Sequence, residues 1–359
     1  MVPDRTPIVD LHAHLPLQLT LPKRACDSPE QTKRNQCLAN SANHLGNFEK
    51  GQPRFNVDDA RNQGVSFGSV LYSPADELYG TCYGAENIKA QIKLVEKKLK
   101  GKFEIARDGK EFKAKVEAGK PAAFHCLEGA FVIEKVPQDV DVLVDQRVAY
   151  VVLAHLVFRG VSGCVNAFPF FTDETYEVMF PGPPGLTPLG KKICEGICQR
   201  GIIPDITHMT VQAAYDVFDI AKANNRPVIA SHAAPQGTSA HEYKLNLCPE
   251  IIERIRDSGG VIGVIWFDHW LLPPATPKAK TSVDTVVDAV LRIRDIARTT
   301  DCIAVGSDLD GFIHPVTGLE TIAKIRDLET ALLNRLKDKD VVEDILWRNA
   351  TRTLAYGWV

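Results

Sequence analysis

Five histidines and two carboxylates fall where short apolar runs stop. The stretch "PIVDLHAHLP" (7–16) ends such a run in His12 and His14, one residue apart. On a strand, positions i and i+2 point to the same side, so both imidazoles face one way. The placement recurs: Glu128 closes "AAFHCLE", His155 closes "VVLAH", His208 "IIPDITH", His232 "PVIASH" and Asp308 "IAVGSD". One histidine at a strand end is more often a hydrogen-bonded structural residue. Glu128 or Asp308 alone would serve as well to cap a following helix. Gathered together, however, buried imidazoles and carboxylates need a compensating charge, and a divalent cation supplies it. Nitrogen and oxygen donors without cysteine suit zinc, and also manganese, iron or cobalt. Four histidines and a glutamate exceed what one open catalytic site requires, and a glutamate can bridge two ions about 3.5–4 Å apart. The expectation is two divalent ions, zinc foremost, one on His12, His14 and Glu128 and the other on Glu128, His208 and His232.

What must position these residues is a set of parallel strands. Apolar runs alternate with helical patterns along the chain, which argues for strands joined by crossover helices. The expected strands are 7–14, 65–73, 121–128, 148–155, 201–208, 227–232, 261–267 and 302–308. Six of these eight finish in a residue able to bind a metal or move a proton; the second and seventh do not, although Asp268 and His269 follow the seventh. Helical spacing marks 86–100, 211–223 and 283–297. The strands are rich in Val, Ile and Ala with little alternation, as strands buried on both faces are. Eight such units predict a closed (β/α)8 TIM-type barrel over the whole chain, its active site at the C-terminal ends of the strands. No Gly-x-Gly-x-x-Gly follows the first strand, which weighs against a dinucleotide enzyme. Two long connections, 15–63 and 156–189, leave strands at that same face and read as lids.

Composition sets the class. The chain has 359 residues, 45% hydrophobic and 24% charged, with a net charge of −3, values of a globular protein with a large core. Such a balance gives no reason to expect a nucleic-acid or membrane-surface partner. Nine cysteines are scattered without a Cys-x-x-Cys pair, which fits a reducing compartment. No run approaches the roughly 20 apolar residues that span a bilayer, and "MVPDRTP" lacks the pattern of a secretory signal. The expected location is the cytoplasm.

In order, "DLHAHLP", "LEGA", "GLTPLGKKICEGICQRGIIPDITHMT", "PVIASHAAP" and "IAVGSDLDGF" resemble the signature segments of the membrane (renal) dipeptidase family of the amidohydrolase superfamily. The resemblance runs from residue 7 to about 355 and includes "RNATRTL" near the end. It implies a (β/α)8 barrel with two zinc ions bridged by a glutamate, and places His12, Glu128, His208 and His232 on the metal ligands. It further implies that Asp308 is the catalytic aspartate, that His155 polarises the substrate, that the substrate is a dipeptide, and that the protein forms a homodimer. Two positions depart from the family. His14 stands where an aspartate is usual, which leaves the site less negative. Leu245 stands where the family's arginine holds the dipeptide carboxylate, with Lys244 beside it; Arg159, after His155, is a second candidate anchor.

The implied reaction is hydrolysis of a peptide or peptide-like amide by a metal-bridging hydroxide, with Asp308 moving the proton and His155 stabilising the oxyanion. A deaminase, lactonase or phosphoester hydrolase on the same metal site is the alternative. A barrel that binds metal or ligand without turnover fits less well, since it has no use for Asp308. Among other polar residues, His125 falls on the opposite face from Glu128 and supports the wall, while Asp310 either holds a metal ligand in place or fixes its turn. His44, His241 and His314 sit in polar loop sequence. "FPFF" and "WFDHW" are candidate pocket linings or packing.

Overall fold

The structure is a computed structural model, describing residues 5–20, 48–49, 52–79, 84–237, 244–271 and 281–359. Eight parallel strands form its centre: β1 (Ile8–Ala13), β2 (Val65–Leu71), β3 (Ala122–Glu128), β4 (Val148–Val152), β5 (Ile203–Asp205), β6 (Ala230–Ala233), β7 (Ile262–Val264) and β8 (Ile303–Val305). They pair in the order β5-β4-β3-β2-β1-β8-β7-β6. A parallel bridge between Asp205 and Ile229 joins the two ends, with Ile206 N–H donating to Ile229 O at 2.9 Å. The circle is a (β/α)8 barrel.

The periodic helices form at Gly84–Leu99, Val211–Ala223 and Val283–Ala297. Thr210 caps the second through its side chain, and Ser282 with Thr285 makes a capping box on the third, the hydroxyls satisfying amides that a helix start leaves free. Inside the barrel, Val9, Leu11, Phe124, Cys126, Tyr150, Ile203 and Ala304 form a core that Phe112, Leu354 and Trp358 close from the N-terminal end. The opposite mouth stays polar.

The strands are shorter than expected. Only Glu128 is the last residue of its strand; His12 and His232 lie within theirs, His14 one residue beyond, and His155, His208 and Asp308 three residues beyond. Donors bound to one ion cannot all sit on the wall of a cylinder, so the chain leaves the ladder before delivering them. His208 (φ 68°) and Asp308 (φ 58°) do so in the left-handed region, strained for a side chain and concentrated at functional sites.

Of the two long connections, 21–47 and 50–51 lie outside the described residues. The second, 156–189, holds a helix at Asp173–Met179 capped by Thr172, and folds back through bridges Ser162–Leu186 and Cys164–Met209. Its "FPFF" rings pack on one another, on Tyr176 and on Phe180: Phe168 lies 5.4 Å from Phe170, 5.5 Å from Phe171, 6.3 Å from Tyr176 and 6.2 Å from Phe180.

Small residues let the wall close beneath the mouth. A Cβ on Gly263 or Gly306 would stand 1.9 Å from the Ser231 carbonyl oxygen, one residue from His232. Gly306→Ala should therefore cost about 1–3 kcal/mol by overpacking, measured as a lower urea midpoint, and should weaken metal retention; an unchanged midpoint would show that the wall yields.

Candidate metal centre

At the C-terminal mouth the predicted residues meet. Glu128, 1% exposed, lies at their middle. Its Oε1 stands 3.2 Å from His12 Nε2, 3.5 Å from His232 Nε2 and 3.9 Å from His208 Nε2. Its Oε2 stands 3.3 Å from His14 Nε2 and 3.5 Å from His155 Nε2. Asp308 Oδ1 closes the circle, 3.1 Å from His14 Nε2 and 3.8 Å from His12 Nε2. Oε1 thus faces His12, His208 and His232 and Oε2 faces His14 and His155, while Asp308 Oδ1 lies near both His12 and His14.

These residues fit a bound cation. Two donors on one tetrahedral ion, each at about 2.1 Å, stand roughly 3.4 Å apart, and the separations around Glu128 cluster there. Both Glu128 oxygens and His12 Nε2 are buried without a hydrogen-bond partner, a state that is costly unless something else binds them. His208 Nε2 and His232 Nε2 lie 3.0 Å apart. Three overlapping triads, His12–Glu128–His232, His12–His14–Asp308 and Glu128–His155–His208, have their donor atoms within 4.8 Å of one another.

The rings are held from behind. Tyr150 donates its hydroxyl to the Leu11 carbonyl at 2.8 Å and so meets His12 Nδ1, 2.9 Å away, as an acceptor. That assigns the proton to Nδ1 and leaves the Nε2 lone pair facing Glu128. Ser231 Oγ lies 3.1 Å from His12 Nδ1 and 3.0 Å from His232 Nδ1. Below them, buried Asp10 accepts from His12 N at 3.2 Å and Ser307 N at 2.8 Å, tying β1 to the end of β8. Asp205 accepts from Thr207 N at 2.9 Å and Ser231 N at 3.2 Å, tying β5 to β6. Trp270, from "WFDHW", sets its ring 5.5 Å from His208 and 6.1 Å from His232.

Electrostatics keep the candidate ligands ready. Burial lowers His14 to about 4 against the pull of Glu128, and it holds His208 and His232 well below the usual imidazole range; all three are neutral with lone pairs free. Burial also acts to lower His155, but Glu128 and Glu77 outweigh it and lift the ring to about 9. Burial pushes Asp308 well above the ordinary carboxylate range. For Glu128, burial is opposed by His155, His12 and His14, which hold it well below that range.

The remaining candidates stand apart. Lys244 is exposed and ion-paired with Glu177 of the 156–189 connection. It lines a cavity of about 550 Å³ with Cys164, Tyr176, Thr210 and Gln236. Arg159 donates to the Glu77 carbonyl, and Leu245 is buried. His125 is buried on the alternate face of β3 from Glu128. Asp310 accepts from the amides of Arg54 and Phe55, each at 3.0 Å, fastening the stretch before β2 to the barrel mouth. His314 lies 3.0 Å from Asp268; His44 and His241 lie outside the described residues. Glu77, Asp10, Asp205, Tyr150 and Ser231, which no spacing pattern singles out, also support the site.

His208→Ala should reduce bound metal and His125→Ala should not, although both delete a buried imidazole. Metal analysis by mass spectrometry checks this; equal losses would mean that the cluster is not the metal site.

The chain is similar to known proteins along most of its length. The membrane dipeptidase family, peptidase family M19, matches residues 1–356. A stretch of 226 residues is 27% identical to an uncharacterised dipeptidase of Schizosaccharomyces pombe, covering 63% of this chain and 51% of that protein. Another of 170 residues is 32% identical to dipeptidase tcpJ of Claviceps purpurea, covering 47% and 38%. The chain spans about half the length, or less, of these curated relatives. Among solved structures, dipeptidase AC, an M19 metallopeptidase, superposes with a TM-score of 0.74 at 19% identity over 99% of both chains. A metallopeptidase from Rhodobacter sphaeroides, solved with a phosphinate mimic of L-Ala-D-Ala, gives 0.75 at 17% identity over 99% of this chain and 100% of its own. At those identities the likeness establishes the barrel. The match over nearly the whole sequence establishes the lineage: this chain belongs to the membrane dipeptidase family, peptidase family M19.

Proposed function

We propose that the protein is a metal-dependent hydrolase of a peptide or peptide-like amide bond in a small substrate, in the manner of a dipeptidase. The observation that carries this reading is the Glu128 carboxylate, both oxygens unpartnered, within 4 Å of five imidazole nitrogens. Family membership supports it, as does the dipeptide mimic bound by the Rhodobacter relative. His12, His14, Glu128, His208 and His232 are the proposed ligands of two divalent ions, zinc foremost. Ions held there would polarise the scissile carbonyl and make a nucleophile available at neutral pH.

The chain's own groups do the rest. Asp308, at the rim of the cluster and 3.1 Å from His14 Nε2, acts in its ionised form: it takes the proton of the attacking water and passes it to the departing amine. His155 carries its proton at neutral pH and donates from Nε2 to the oxygen that becomes negative. Arg159 and Lys244 are proposed to meet the substrate's far end, although the Lys244–Glu177 pair must open first. The six described cysteines are all free thiols, which supports a cytoplasmic location.

A panel of dipeptides assayed before and after chelation tests the proposal. Hydrolysis should vanish with the metal and return on adding zinc. Turnover of lactones or aminated heterocycles in place of dipeptides would overturn it. Asp308→Asn should keep its metal and lose about 100- to 10,000-fold in kcat; near-normal turnover would remove Asp308 from proton transfer.

A further inference from the structure

The geometry points to Glu77 as a positioning residue: we infer that, by accepting from Nδ1–H, it fixes the orientation of His155 so that Nε2 faces the reacting centre. The kinetic part of this inference rests on the amide-hydrolase reading; the structural part does not.

Glu77 lies on the short helix Pro74–Tyr79 that follows β2, and its side chain is 0% exposed. A buried carboxylate is costly unless donors surround it. Here Oε2 accepts from the Tyr72 hydroxyl at 2.8 Å and from His155 Nδ1 at 2.7 Å, and Oε1 accepts from the Val157 amide at 3.0 Å. Its backbone carbonyl accepts from Arg159. One residue therefore grips the imidazole and the chain on its C-terminal side. Since a carboxylate offers no proton, His155 must donate from Nδ1, and its second nitrogen is left facing Glu128 Oε2, 3.5 Å away. The plane of the ring is clamped as well: Tyr72 meets it edge-on at 4.6 Å and 78°, and His208 at 4.7 Å and 89°.

Glu77 itself touches no reacting atom and belongs to none of the three metal-capable triads. It acts through His155 or not at all. A carboxylate that merely pinned the helix to the next connection could do so through Val157 and Arg159 and would have no need of the imidazole. Strand β2, whose end carries no ligand, would thus serve the site at one remove.

The test uses the metal-loaded enzyme and the variants Glu77→Gln, His155→Ala and the double variant. In proton spectra of [15N]histidine-labelled protein, the His155 Nδ1–H should give a far-downfield, slowly exchanging signal, assigned by its loss in His155→Ala. Glu77→Gln should shift or abolish that signal while metal content stays constant. On a hydrolysed dipeptide, Glu77→Gln should lower kcat about 10- to 100-fold with KM little changed. In the His155→Ala background it should add nothing, the non-additivity of residues that act as a unit. An unmoved signal, or an equal kcat loss with and without His155, overturns the inference. If the wild-type protein hydrolyses no dipeptide, the function proposed above fails alone and the spectrum still decides on Glu77. Should Glu77→Gln not fold, Tyr72→Phe removes one donor from the same oxygen and is expected to shift the same signal; no shift overturns the inference.

Discussion

A carboxylate removed from water and ringed by imidazoles governs this molecule. Glu128 is buried, yet its two oxygens make no ordinary hydrogen bond. Left so, it would cost several kcal/mol; a cation shared with the surrounding imidazoles would offset that cost. Every other feature of the mouth serves that condition. His12, His14, His208 and His232 arrive from three different parts of the sequence, and burial keeps the last three uncharged. His155 is the exception, a ring kept cationic by the carboxylates on either side. One pocket therefore holds imidazoles in both protonation states.

A second polar layer beneath the ligands makes the convergence rigid. Asp10 and Asp205 are each 0% exposed and each join two strands that carry site residues. These contacts replace ladder hydrogen bonds where the strands end early. They act where His208 and Asp308 turn into left-handed backbone, so the strain sits beside its restraints. Binding groups on such a scaffold gain precision from their supports as much as from their own identity.

Much of this was legible in the sequence. The eight apolar runs and their order were readable because strands buried on both faces leave a continuous signature. Two helix boundaries, 211–223 and 283–297, coincide with the periodic segments. The site residues were legible as a group, since polar side chains rarely end several buried strands without a shared purpose. The supports were not. Glu77 follows Pro74 and Asp76 at the start of a helix, where an acidic side chain is unremarkable because it complements the helix dipole. Asp10 and Asp205 sit inside or at the end of strands, and nothing in their spacing tells a tie between neighbours from a ligand. Nor could the sequence reveal that strands would stop three residues short of His155, His208 and Asp308, because tertiary contacts impose that departure, with left-handed backbone at His208 and Asp308.

The neighbours in the barrel wall carry a consequence for biosynthesis. Strand β1 pairs with β8, and His12 completes its surroundings only with Asp308, 296 positions later. A nascent polypeptide lacks this wall member until β8 has been synthesised. The cluster can then close only after β8 has emerged, and until that moment the first two histidines depend on the rest of the fold, or on cellular chaperones, to stay out of premature associations.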